Sequence, residues 1–134
     1  GRSSVLSAIL DASRNNGPLS KAGVRGRLGD LGSIDAKYDV AISASTSMLD
    51  SIVVTTLSGA QDCLSYLRDH NIGRANFIAL DKLDTRRMQQ QFTPVKDATR
   101  LFDLIRTPDD IAPAFYRALG DTLVSLSLSL LSLS

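Results

Sequence analysis

Apolar positions along the chain change period several times, and each change marks an element. Val5, Leu6, Ile9 and Leu10 recur at helical spacing, with Ser3 or Ser4 placed to cap and Gly17-Pro18 to stop, which predicts a first helix over 4–14. After a turn-rich connection at 15–21, Val24 to Leu28 alternates apolar and basic residues as a strand with one wet face, carrying Arg25 and Arg27. Gly26, Gly29 and Gly32 then fall every third residue, where missing Cβ atoms permit positive φ and close backbone approach, so the strand should end in a tight bend. Ile34, Tyr38, Ala41 and Ile42 form a second helical stripe, with Ser33 or Asp35 as cap.

The β-branched run Ile52 to Thr56 predicts a strand covered on both faces and central in its sheet. Ser58 and Gln61 read as a capping box for a helix lined by Ala60, Cys63, Leu64 and Leu67 and ended by Asn71 or Gly73. A further buried strand is expected around Phe77 and Ile78. From Asp81 to Arg100 the pattern fades into KLDTRRMQQQFTPVKDATR, read as a surface excursion. Leu101 to Ile105 is a strand candidate. An N-cap at Asp110 would place Pro113 in the first turn of a helix presenting Ile111, Phe115, Ala118, Leu119 and Thr122. The end, LVSLSLSLLSLS from Leu123, alternates with strand period, lacks charge, and has an aggregation-prone composition.

Strand–helix–strand–helix–strand at these spacings predicts an α/β (α+β) fold: an N-terminal helix, then a largely parallel sheet with helices from βαβ units, and a partial helical second subdomain. The expected segments are 1–82 as a first half, 83–100 as a connection, 101–124 as the start of a second subdomain, and 125–134 as a Leu/Ser tail.

Composition narrows the function classes. At 134 residues one domain is expected, and 15 Lys plus Arg against 14 Asp plus Glu leave a net charge of +1, so there is no global field toward nucleic acid or membrane. The lone Cys63 rules out an intrachain disulfide framework and fits a reducing compartment. The N-terminal apolar stretch is too short for a signal or a span, and a chain starting at Gly1 reads as an excised piece.

Candidate chemistry is sparse. A glycine bend feeding a helix suggests an anion pocket, but the spacing is not G-x-G-x-x-G and no P-loop occurs; the GRLG match to a KH loop is weak because that loop joins two helices. Asp35 and Asp39 fit a helix first turn better than an acid–base pair. His70 has no ligand cluster around it, and Cys63 sits on an apolar face. Arg25, Arg27, Arg74, Lys82, Arg86, Arg87, Lys96 and Arg100 could gather into a basic surface, with scattered solvated charge as the alternative.

The segments GVRGRLGDLGSIDAKYDVAIS, DSIVVTTLSGAQDCLSYLRDHNIGRANFIALDKL, TRLFDLI and PAFYRALGDTLV closely resemble the hinge domain of SMC (structural maintenance of chromosomes) ATPases. Within that family they are most similar to the larger SMC subunit of eukaryotic condensin, over about Ser4 to Val124. The resemblance implies a non-catalytic hinge joining two antiparallel coiled-coil arms, with the ATPase in absent head domains and no cofactor, metal or membrane. It implies pairing with the hinge of the partner condensin SMC subunit, DNA contact, and a place on chromosomes in the nucleus. Gly26, Gly29 and Gly32 become candidates for the dimer interface or a turn; Arg25, Arg27, Arg86, Arg87 and Lys96 become candidate DNA contacts on grounds of charge. In the family the helix ending near Asp121–Val124 continues into a second half-domain, whereas here the Leu/Ser tail follows, so weakened pairing is expected. Two competing readings are a small α/β anion- or nucleotide-binding domain using the Gly26–Ser33 turn, and a non-functional remnant that aggregates.

Overall fold

The computed structural model describes residues 3–125 of the 134. Helix α1 (Ser4–Ala12) starts where the Ser3 hydroxyl accepts from the Leu6 amide at 3.1 Å, and it buries Leu6, Ile9 and Ala12. Strand β1 (Val24–Arg27) leads into a 3-10 turn at Leu28–Asp30. The second predicted helix is shorter than expected: a 3-10 turn at Ala36–Tyr38 precedes α2 (Asp39–Ser45). Asp35 stands at the N-cap position of the 3-10 turn without a side-chain capping bond, its carboxylate facing Arg106, while Ser33 lies earlier in a backbone bridge with Arg106 at 2.8 Å in each direction.

Strand β2 (Ile52–Val54) is buried throughout. Helix α3 (Leu57–Asp69) begins two residues earlier than a Ser58–Gln61 box would set it. Its N-cap is Thr56, whose hydroxyl accepts from the Gly59 amide at 3.0 Å, while the Asp81 carboxylate accepts from the Leu57 amide at 2.9 Å. Strand β3 (Phe77–Ala79) follows, then the short α4 (Arg86–Gln89) and β4 (Ala98–Arg100). Leu101 to Ile105, expected as a strand, is instead a helical turn, α5 (Leu101–Leu104). The strand lies just before it, because Ala98–Arg100 finds a partner in β5 (Leu123–Ser125). Helix α6 (Ala112–Leu119) keeps Pro113 in its first turn, with Ile111 rather than Asp110 at the cap.

The first sheet has the order β1-β2-β3. Its pairing corrects the expectation of a largely parallel sheet: β2–β3 is parallel through the α3 crossover, but β1–β2 is antiparallel. The intervening segment contributes α2 to a different core, so it covers no strand of the first sheet and the chain simply returns alongside β1. The second sheet, β4–β5, is antiparallel.

Side-chain alternation on β2 divides the interior. Ile52 and Val54 pack with Leu6, Ile9, Cys63 and Leu67 under α1 and α3, whereas Val53 packs with Leu28, Ile78, Ile111 and Phe115 under α6. Helices therefore lie on both faces of the first sheet. A third cluster of Tyr38, Ile42, Leu101, Leu119 and Val124 fastens α2 to the second sheet. Each fully buried Leu, Ile, Val or Phe contributes roughly 1.5–3 kcal/mol. Residues 101–124 thus share a core with the first sheet. The Leu/Ser tail beyond Ser125 lies outside the described residues. Among those residues no helix is long and apolar enough to cross a membrane.

Candidate functional site

The three glycines are needed for different reasons. Gly26 occupies a bulge in the β1–β2 register with φ of +128°, a conformation an L side chain rarely adopts. Gly29 and Gly32 do not have positive φ; close approach is what they permit. A Cβ on Gly29 would collide with the Arg27 guanidinium, and one on Gly32 would stand 2.7 Å from Phe115 Cζ. The bend itself is closed by Arg27, whose Nε donates to Asp50 at 2.9 Å and whose Nη1 donates to Asp30 at 3.1 Å. This geometry argues against an anion pocket. The bend feeds a three-residue 3-10 turn, not a long helix, and its cation is already held by two carboxylates. The neighbouring groove of about 290 Å³, between Gly32, Ile34, Ile42, Leu49 and Phe115, is lined by Asp39 as well as by Arg27, whose charge is already matched by Asp30 and Asp50, so it offers an anion no unpaired cation.

The candidate DNA-contacting cations fall into two groups. Arg25 and Arg27 were expected on an open wet face, yet their side chains are only 33% and 30% exposed, and Arg25 donates to Asp110 across the fold. That hydrogen bond holds the Asp110 carboxyl below the usual carboxylate range. Arg86 and Arg87, on α4, are 88% and 76% exposed. Arg86 forks onto Asp84, whose carboxyl its side chain and amide hold at about 2, and Arg87 donates to Asp121 at 3.1 Å. Lys96 is exposed and has no ion pair among the described residues. Exposed ion pairs contribute only about 0–1 kcal/mol, so α4 and Lys96 hold cations that can change partner.

Arg100 does not belong to any surface patch. Its side chain is 9% exposed, and its guanidinium donates to Asp103 at 2.8 and 3.1 Å and to Asp121 at 2.9 Å and lies 4.5 Å from the Phe92 ring centroid. The Asp103 hydrogen bond dominates in raising its pKa. Burial pushes the Asp121 carboxyl up, but hydrogen bonds from Arg100 and Tyr116 and the nearby charges of Arg87 and Arg100 carry it below its ordinary value. This node ties β4, α5 and the end of α6 together.

Residue spacing revealed only part of this set. Asp103, three residues after Arg100, was within reach of sequence reasoning; Asp110 and Asp50, which are 85 and 23 residues from their arginines, carried no local signal. Cys63 is fully buried, and burial together with the Asp62 charge pushes its thiol up to about 11, so it is not a nucleophile. His70 occupies the C-cap of α3 and packs against Tyr66 in a tilted arrangement with ring centroids 4.4 Å apart. Asp35 meets Arg106 at 3.5 Å, while Asp39 lies in the first turn of α2. No group of three potential metal ligands occurs among the described residues.

Comparison with known proteins decides the family. The profile of the family described as "SMC proteins Flexible Hinge Domain" matches residues 21–130. The chain belongs to the SMC hinge family. This hinge is 47% identical over 130 residues to Structural maintenance of chromosomes protein 4 of Homo sapiens, and 44% identical over 128 residues to the protein of that name from Saccharomyces cerevisiae. Each alignment covers 95% of the chain, which itself spans only about a tenth of the length of these curated relatives. Among solved structures the hinge is similar to the Pyrococcus furiosus SMC protein hinge domain, with TM-score 0.69, 26% identity, and coverage of 90% of this chain and 63% of that one. It also shares its fold with a Geobacillus stearothermophilus SMC hinge domain described as an asymmetric dimer, with TM-score 0.71, 20% identity, and coverage of 91% and 49%.

Proposed function

We propose that this hinge pairs with the hinge of a partner SMC subunit, as the larger SMC subunit of condensin, and contacts DNA while joining two coiled-coil arms on chromosomes in the nucleus. It performs no reaction of its own. The observation that carries this reading is the family match over residues 21–130, together with 41–47% identity to the same protein from yeasts to mammals. In this reading residues 1–82 form the first half of the joint, 83–100 connect, and 101–124 begin the second subdomain.

The DNA contact is assigned to Arg86, Arg87 and Lys96. Exposure favours them: Arg86 and Arg87 project into solvent, where an ion pair is worth little, and Lys96 has no ion pair among the described residues, so each can take up a backbone phosphate at little cost. Arg25 and Arg27 are secondary, because their own side chains are only about a third exposed and each is already held by one or two carboxylates.

Size-exclusion chromatography of the chain with a partner condensin hinge tests the pairing. Co-elution at micromolar concentration supports it, and separate elution at every concentration refutes it. For DNA, Arg86→Ala with Arg87→Ala should weaken binding across sequences and reduce the salt slope by about 2. An unchanged affinity and slope would remove α4 from the contact.

A further inference from the structure

The chain contains two Thr-Pro dipeptides, and the fold treats them in opposite ways. Thr93, Pro94, Val95 and Lys96 are each exposed between α4 and β4, in irregular backbone ending in a turn. No hydrogen bond engages Thr93 among the described residues. The arch is pinned at both ends. Before it, the Phe92 ring stacks against Arg100; after it, Ala98 donates to the Val95 carbonyl at 3.3 Å and enters the sheet. A residue preceding proline is biased toward extended backbone, and Pro94 offers no N–H, so the acceptor segment favours the extended form a peptide cleft takes.

We propose that Thr93 is a phosphoacceptor for a proline-directed serine/threonine kinase, with Lys96 as the cation read three residues beyond it. Such kinases require proline directly after the acceptor and favour a basic residue at this further position, a charge pattern that sets substrate choice. In the step, the bond from the γ-phosphorus of ATP to its bridging oxygen breaks and ADP leaves. A new P–O bond forms to Thr93 Oγ1, and the hydroxyl proton passes to the kinase's base. The product carries about two negative charges at pH 7 beside Lys96.

Thr107-Pro108-Asp109-Asp110 is the internal contrast. The Thr107 hydroxyl donates to the Leu31 carbonyl at 2.8 Å in a half-buried position. The position three residues on is Asp110, acidic and held by Arg25. The same dipeptide is therefore closed by a hydrogen bond and marked with the wrong charge.

The full 134-residue chain, incubated with ATP and a proline-directed kinase and mapped by tandem mass spectrometry, tests the assignment. The expected result is one phosphate on Thr93, none on Thr107, no incorporation in Thr93→Ala, and several-fold slower incorporation in Lys96→Ala. Circular dichroism of each variant, expected to match the parent, confirms that the fold is intact. Absence of phosphate from Thr93, or comparable labelling of Thr107 in the folded chain, would overturn the proposal; an unchanged rate in Lys96→Ala would overturn the role given to the cation.

Discussion

Replacing Arg100 tests the account of how the second sheet is held. In Arg100→Ala three charge-assisted hydrogen bonds are lost, two to Asp103 and one to Asp121, together with the stack on Phe92 at 4.5 Å. A hydrogen bond to a charged group contributes about 1.5–3 kcal/mol and breaking a fully buried pair costs about 3–5 kcal/mol. The acids here are not fully buried: Asp103 is 47% and Asp121 28% exposed, so each regains water when its partner leaves. Asp121 also keeps Arg87 and Tyr116. Discounted for that solvation, the loss should be about 2–3 kcal/mol, or roughly 10 °C in Tm for a chain of this length. Arg100→Lys should recover only part of it, because an ammonium cannot fork to both carboxylates.

Urea unfolding followed by circular dichroism measures the loss, and a double-mutant cycle with Asp121→Asn isolates the pair. The cycle should show coupling of about 1 kcal/mol or more. A loss below about 1 kcal/mol for Arg100→Ala, or additivity within about 0.5 kcal/mol, would mean that the node is a bystander to apolar packing.

Gly32→Ala places a Cβ 2.7 Å from Phe115 Cζ and 3.0 Å from Ile105 Cγ2, so overpacking should cost about 1–3 kcal/mol in a thermal melt; a neutral result would show that the Phe115 ring yields freely. Stability should fall with acid in a defined window. Asp84 is held at about 2 against 3.8 for a free carboxyl, and Asp110 and Asp121 are also lowered. The unfolded chain therefore binds more protons there, so this contribution is complete above about pH 4 and is lost toward pH 2. A urea midpoint that stays flat from pH 5 to pH 2 would contradict it. Cys63, its thiol pushed up to about 11 and fully buried, should resist iodoacetamide at pH 8 in the folded chain and react at once in denaturant. Rapid native labelling would mean that α3 opens readily from the sheet.

Local pattern was enough to determine the elements whose burial and chemistry agree along the chain. The α1 stripe with its Ser3 cap, the fully apolar β2, the α3 face carrying Cys63, and Pro113 in the first turn of α6 are all legible, because side-chain period and capping depend on residues a few positions apart. The glycine spacing and the family resemblance were legible in the same way. Tertiary structure decided the rest. Strand direction in the first sheet turned on where α2 found its apolar partners, which no period encodes. Leu101–Leu104 became a helical turn because the adjacent Ala98–Arg100 could pair with Leu123–Ser125, more than twenty residues away. The arginines looked equivalent on charge alone. Folding buried Arg100, tied Arg25 and Arg27 to distant acids, and left α4 and Lys96 in water, because an ion pair between remote residues exists only once the chain has closed.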